Sequence, residues 1–479
     1  MADSEIERLR DSIECAWEEA HKFGLDPFPT HFELVPASIM YEFASYGLPG
    51  RFSHWTHGKS YYRQKMQYDF GLSKIYELVV NTNPSYAFLM EMNNLLQNTF
   101  VAAHVFGHTD FFKNNAYFHN TSRRMIDKVS IHAERVARYE FEHGKAEVER
   151  FLDAALSIQE HVDYHLLLRE NENSAKEEQK PTQPTSEYDD LWGLDKKAKM
   201  AEEDRDKRPG KPPKFPEKPE KDILLFLMHN APHLQPWQRD VLEIVRAEML
   251  YFVPQAQTKV MNEGWASLWH SRIMRQLGER GIISDSEIIE FAQLHSGVLS
   301  PSRTSLNPYY LGFKMFEDIE RRWDNPTEEE QEKFGRKPGM GHQKIFEVRE
   351  LDNDVSFLRN YLTKDLIKDL DLYLFKKDGD EWVISEKNWE KVRDGIVASM
   401  TNFGYPYLVI DNGDYHGNRE LYIKHMFEGQ ELDLNYAEKT LQHVYTMWGR
   451  PVHLETVYEG KRILLTYDGE RNSKSTLEK

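Results

Sequence analysis

The sequence predicts a mainly α-helical N-terminal region, in which a short strand precedes a helix bearing two histidines four apart. A C-terminal α+β domain with a mostly antiparallel sheet follows. Three observations predict this class. Apolar residues recur at helical spacing through most of the first 360 positions, a proline- and charge-rich stretch interrupts them at 169–221, and alternation replaces them after about residue 370. The expected divisions are a helical core from 1–168 and 222–360, a polar insertion or linker at 169–221, and the α+β domain at 365–479.

The elements read in order. Ile6, Leu9, Ile13 and Trp17 follow the cap candidates Asp3 and Ser4, and Gly24 with Pro27 ends that amphipathic helix, on which Cys15 is a packing residue. Residues 51–68 interleave Phe52, Trp55, Tyr61, Tyr62 and Tyr68 with basic side chains, a pattern read as aromatics beneath snorkelling lysines and arginines. Asn83-Pro84 marks a turn before an extended piece, Tyr86 to Met92, that carries Glu91. Leu95 to Phe112 is a helix apolar around most of its circumference, and 126–168 forms one or two further helices. Five prolines between Arg208 and Pro219 exclude a helix or central strand there. Helices return over 222–323. A polar loop at 324–341 then holds Gly335, Gly339 and Gly341, read as a surface loop, since no strand leads into it. Strands are expected at 370–375, 381–385, 407–410, 420–425, 453–458 and 461–467, with helices at 386–402 and 436–449. Asp378-Gly379 and Glu459-Gly460 read as hairpin turns, and the two strand-helix-strand halves suggest a weak duplication.

Composition narrows the function. A chain of 479 residues with 40% hydrophobic and 13% aromatic residues folds, and it is long enough for two or three domains. A formal charge of −18 disfavours nucleic acid as a partner. The single cysteine excludes an intrachain disulfide and a thiolate cluster, so any metal must be held by His, Asp and Glu. An acidic, amphipathic N-terminus and the lack of a long apolar run lead to the expectation of a cytoplasmic protein without a membrane span. There is no Gly-x-Ser-x-Gly elbow and no Walker-type loop.

The chemistry-bearing pattern is His104-Val-Phe-Gly-His108, answered by Asn262-Glu263-Gly-Trp-Ala-Ser-Leu-Trp-His270. Histidines at i and i+4 share one helix face, and a glutamate from a second helix completes the zincin-like two-His-one-Glu layout of a zinc metallohydrolase. His104, His108 and Glu263 are the expected ligands, and His270, two turns past Glu263, is a fourth ligand or an orienting residue. The peptidase signature His-Glu-x-x-His places its general base where this chain has Val105. Proton transfer would then fall to Glu91, Asp110 or Glu248. Zinc is the first expectation and iron the second, because two histidines and a carboxylate suit both. The plain alternative is a pair of hydrogen-bonded core histidines, against which the density of Asp110, Glu263 and His270 among Trp and Phe weighs. His132 and Glu134 are expected behind the ligands, and His161 with His165 on a solvated face.

At these residues the sequence closely resembles the stage V sporulation protein R (SpoVR) family. The resemblance runs through Asn81-Thr-Asn-Pro-Ser-Tyr-Ala-Phe-Leu-Met-Glu-Met-Asn, the His104 to Asn115 stretch, and Pro232-His-Leu-Gln-Pro-Trp-Gln-Arg-Asp. It continues through Tyr251 to His270 and Phe357-Leu-Arg-Asn-Tyr-Leu, and so covers nearly the whole chain. It implies a bacterial cytoplasmic protein needed for the spore cortex, with a functional link to a serine protein kinase and a von Willebrand A-like protein. The resemblance supplies a process and no reaction. Joined to the spacing argument, it leads to the expectation of a metal-dependent hydrolase or amide transferase acting on a peptide or peptidoglycan precursor. The alternative is a non-catalytic assembly or regulatory protein in which the same residues hold a structural metal or a polar core.

Overall fold

A helix that is apolar on every side has no face to give to solvent, and the one spanning Leu95–Asn114 is buried almost continuously from Leu96 to Phe112. The rest of the first structural unit is built around it. The computed structural model describes residues 3–69, 77–165, 214–301, 305–379 and 381–477. The described helices begin with α1 (Asp3–Lys22), α2 (Ala37–Tyr46), α3 (Trp55–Asp69), α4 (Leu95–Asn114), α5 (Met125–His143) and α6 (Lys145–Leu156). Then come α7 (Ile223–Asn230), α8 (Pro236–Gln257), α9 (Lys259–Glu279), α10 (Asp285–Val298), α11 (Pro308–Asp324) and α12 (Glu328–Phe334). The last are α13 (Gly341–Leu351), α14 (Asp354–Tyr361), α15 (Lys364–Asp369), α16 (Trp389–Met400) and α17 (Leu434–Trp448). Most of the expected insertion lies outside the described residues. Among those described, no helix is long and apolar enough to cross a membrane.

The chain forms two units, one from 1–148 and 250–405, the other from 149–249 and 406–479. In the first, α9 packs between α4 and α11, and α1 lies on α4. Phe106, Phe111, Trp265, Trp269, Phe316 and Phe357 are buried side chains of this core. Beside it stands a three-stranded sheet in the order β1 (Thr30–Val35), β3 (Ser85–Met90), β2 (Glu77–Val80), with β1 parallel and β2 antiparallel to β3. The sequence signalled β3 alone.

Two expectations change here. Strands β4 (Leu374–Asp378) and β5 (Glu381–Glu386) pair only with each other, and Leu374 packs against Gly395 of α16. Because α16 in turn packs on α14 and α15, residues 370–405 join the first unit rather than one C-terminal domain. The expected duplication therefore has no counterpart in a shared sheet. The loop at 324–341 contains α12, opened by a Thr327–Glu330 capping box. Gly341 N–H donates to Asp324 Oδ1 at 2.8 Å, so a carboxylate already stands where a phosphate cradle would need its anion.

The second unit carries the expected, mostly antiparallel sheet. Its order is β10 (Asn472–Thr476), β9 (Lys461–Tyr467), β8 (Val452–Tyr458), β7 (Glu420–His425), β6 (Leu408–Tyr415). Only β7 and β8 run parallel, joined through α17. Glu459 and Gly460, both at positive φ (49° and 70°), make the two-residue turn between β8 and β9 that the sequence announces. Phe226 of α7 stacks on Trp448 of α17 at 5.9 Å. Glu220 and Ile410 exchange backbone hydrogen bonds of 3.0 and 2.7 Å, which ties residue 220 to the edge strand β6.

Candidate metal centre

Close helix approach builds the site. Gly107 lies between the two histidines of α4, and a Cβ there would stand 2.6 Å from Ala266 Cα of α9. Gly264, next to Glu263, meets the Gly312 backbone of α11 so closely that neither position has room for a side chain. Small residues thus bring α4, α9 and α11 into backbone contact at the level where the polar side chains converge. Both helix starts are fixed. Asn94 and Gln97 form a capping box on α4, and Asp354 accepts from Val260 N and Met261 N at 2.9 Å each at the start of α9. Burial pushes the Asp354 carboxyl up to about 7, against those hydrogen bonds.

His104, His108 and Glu263 come together with their donor atoms within 4.8 Å of one another. Glu263 Oε2 stands 3.6 Å from His104 Nε2 and 3.4 Å from His108 Nε2. That oxygen is buried and accepts no hydrogen bond. Burial raises the Glu263 carboxyl, and hydrogen bonds and charge from the two facing imidazoles hold it low while their Nε2 atoms carry protons, the protons an ion would replace. His108 Nδ1 is 2.9 Å from Asn262 Oδ1, an acceptor, so with the amide so placed the proton sits on Nδ1 and the Nε2 lone pair faces Glu263. His104 Nδ1 is 2.8 Å from His270 Nδ1, and His270 Nε2 is 2.8 Å from His295 Nδ1. Donation can run in either direction along the chain with every ring neutral, and the direction from His104 to His270 to His295 is the one that leaves the His104 Nε2 lone pair facing Glu263. Burial supports this by holding His270 well below its ordinary value and His295 down to about 4. Tyr309 stacks on His104 at 6.0 Å and Phe112 on His108 at 6.1 Å.

The donor set fits a tetrahedral divalent ion. Bonds of about 2.0–2.1 Å at tetrahedral angles put neighbouring donors roughly 3.3–3.4 Å apart, and the two Nε2–Oε2 distances are 3.6 and 3.4 Å. Ordinary N–H···O bonds would be near 2.9 Å. Both separations exceed an ordinary hydrogen bond and come close to the spacing of ligands around a shared ion.

The other expected residues lie apart from this group. His270 sits behind His104 with both ring nitrogens engaged by histidines. Asp110, two residues past His108, points about 200° around α4. It is buried, accepting from Asp26 N and Trp265 Nε1 at 2.8 Å each, with Arg349 Nη1 3.7 Å away. Glu91 is exposed in the turn after β3, and Glu248 is buried on α8 in the stretch belonging to the second unit. His132 is buried on α5. His161, expected on a solvated face, is buried, while His165 is exposed. In the basic aromatic segment Phe52 is buried beneath Arg51, whereas Trp55 and Tyr62 are exposed. Asn262 and His295 were not signalled. An Asn beside a ligand Glu, and a third histidine on a polar helix, carry no spacing of their own.

Comparison with known proteins places the chain. Residues 3–405 match the SpoVR like protein family, and residues 406–459 match the SpoVR-like C-terminal domain. The chain belongs to the SpoVR family. The junction of the two matches falls where the first structural unit ends, at residue 405. A relative named Uncharacterized protein YcgB, from Escherichia coli (strain K12), is 30% identical over 471 residues, covering 93% of this chain and 91% of its own length. No solved structure matches. SpoVR membership links the chain to sporulation-related proteins.

Proposed function

We propose that this SpoVR-family chain serves spore cortex formation as a metal-dependent hydrolase or amide transferase, zincin-like in layout, acting on an amide bond of a peptide or peptidoglycan precursor. The observation that carries the reading is the convergence of His104 Nε2, His108 Nε2 and Glu263 Oε2 at ligand rather than hydrogen-bond separation. Zinc is the ion that donor set suits first, and iron second. A divalent ion held there supplies a Lewis acid that polarises a carbonyl and lowers the pKa of bound water. His270 and Asn262 hold the Nδ1 atoms of His104 and His108 and so fix the orientation of both rings, while Glu263 supplies the negative charge. Val105 leaves the customary base position apolar, so the proton must be taken elsewhere. Asp110 is committed to Trp265 and Asp26, and Glu91 precedes the N-cap of α4, about 15 Å of helix before His104, so neither carboxyl stands where a base would act. Glu91→Gln is therefore expected to leave turnover within a few-fold of wild type.

A non-catalytic assembly protein with a structural ion would call for four protein ligands. Three donors, with His270 occupied by other histidines, favour a centre with an open position. The test is incubation of the metal-loaded chain with nucleotide-linked muramyl peptides and short peptides, followed by mass spectrometry. Cleavage or transfer by wild type that disappears in Glu263→Ala is the expected result; no change in any substrate by the loaded wild type overturns the proposal.

A further inference from the structure

Outside that centre, one other group of His, Asp or Glu side chains among the described residues brings three donor atoms within 4.8 Å of one another: His416, Glu420 and His453. It lies in the second unit, where the turn between β6 and β7 meets β8. The turn is held in an unusual backbone. His416 (φ 59°) and Arg419 (φ 62°) are non-glycine residues in the left-handed region, on either side of Gly417 (φ 72°) and Asn418. Each such residue costs about 1 kcal/mol or more. The curl this produces returns the His416 ring to the first residue of β7, Glu420. The parallel register of β7 and β8, with Tyr422 opposite His453, brings the second imidazole to the same carboxylate.

His416 Nδ1 is 3.0 Å and His453 Nε2 2.9 Å from one oxygen, Glu420 Oε2, hydrogen bonds whose two protons an ion would replace as the donors part by a few tenths of an ångström. The other oxygen, Oε1, accepts from Asn418 Nδ2 at 3.2 Å. The far nitrogen of His453, Nδ1, is 2.8 Å from Thr466 Oγ1 on β9. A histidine whose outer nitrogen is fixed by a neighbour, beside a carboxylate fixed at its second oxygen, is the arrangement that orients metal ligands. The Tyr415 ring walls the group, 3.8 Å from His416 and 5.1 Å from His453. His453 is buried and His416 exposed, so the group opens to solvent on one side.

We propose that His416, Glu420 and His453 bind a zinc-class divalent ion that pins the 416–419 turn to β8. Two neutral imidazoles and one carboxylate form a mixed nitrogen and oxygen set suited to zinc, with solvent water completing the coordination. An ion bound only by the folded chain stabilises it, and the gain grows with the free ion concentration.

The test uses the full-length chain, stripped of metal and dialysed against zinc, with bound zinc counted by elemental mass spectrometry. His416→Gln changes an exposed turn residue, and its circular dichroism should match wild type. The expected result is one zinc equivalent fewer in His416→Gln than in wild type, and a smaller zinc-induced rise in Tm. Thr466→Val should weaken that equivalent on the order of 10- to 100-fold. His104→Ala, which addresses the other centre, should retain it. Equal zinc binding by wild type and His416→Gln overturns the proposal and leaves the three residues as an ion-paired turn.

Discussion

In the proposed centre Asn262 holds the Nδ1 of His108, and His270 with His295 behind it holds the Nδ1 of His104, so each ring turns its Nε2 toward Glu263. Removing either support leaves the three ligands in place but frees a ring to rotate. Asn262→Ala and His270→Ala are therefore expected to weaken metal binding at this centre on the order of 10- to 100-fold, measured by competition with a chelating dye in the His416→Gln background, whereas His104→Ala abolishes binding there. Asp110 should behave in the opposite way. Its carboxylate faces the buried Arg349 and takes Trp265 Nε1, so Asp110→Asn should cost on the order of 3 kcal/mol of unfolding free energy while metal content is unchanged. Denaturant titration and metal analysis of the same sample separate these effects. At this scale the convergence of His104, His108 and Glu263 was legible in the sequence, because i, i+4 histidines and a distant glutamate stand out by type and spacing. Of their supports His270 was named from its spacing to Glu263, whereas Asn262 and His295 were not, because a hydrogen bond between helices leaves no periodic mark.

The helices α4, α9 and α11 meet at glycines, and the site inherits its dimensions from those contacts. Gly264→Ala forces a methyl into the Gly312 backbone and must push α9 and α11 apart, with Glu263 on the adjoining residue. Roughly 3 kcal/mol of stability is expected to be lost, the upper part of the usual overpacking range, together with most of the metal affinity. Gly297→Ala on α10 is the control. A Cβ there meets nothing within 4 Å, so the change should be neutral or stabilising by about 0.5–1 kcal/mol. Thermal melts of both variants with and without zinc decide the matter. The long helices were readable because their apolar periods extend over several turns. β1, β2 and β10 were not: Glu77–Val80 has four residues, and Asn472–Thr476 is polar and pairs along one edge. Mid-helix Gly107 and Gly264, each beside a ligand, were the available signal for close packing.

Across the whole molecule, burial of histidines ties stability to pH. His57 in the first unit and His161 in the second are each held down to about 4, chiefly by burial. In the unfolded chain they would titrate near 6.5. The unfolded state then binds more protons between those values, so this stability is complete above about pH 6.5 and is lost as pH falls toward 4. For His161 the loss is on the order of 3 kcal/mol. His161→Gln should narrow the gap between unfolding free energies measured at pH 7 and pH 4.5; an unchanged gap would show that His161 already titrates normally. The division into units was the least legible feature. Alternation begins near 370, yet the hairpin of β4 and β5 with α16 packs on α14 and α15, and the described residues of 149–249 belong to the unit that holds the C-terminal sheet. Composition marks where texture changes, whereas the division depends on which surfaces bury one another. The most direct test of the central claim is the metal content of chain purified without chelator or added metal, by elemental mass spectrometry, in wild type, His104→Ala and Glu263→Ala. Near-stoichiometric zinc or iron in wild type, with one equivalent lost in both variants, is the predicted result. Equal metal in all three, or none in zinc-loaded wild type, would contradict it.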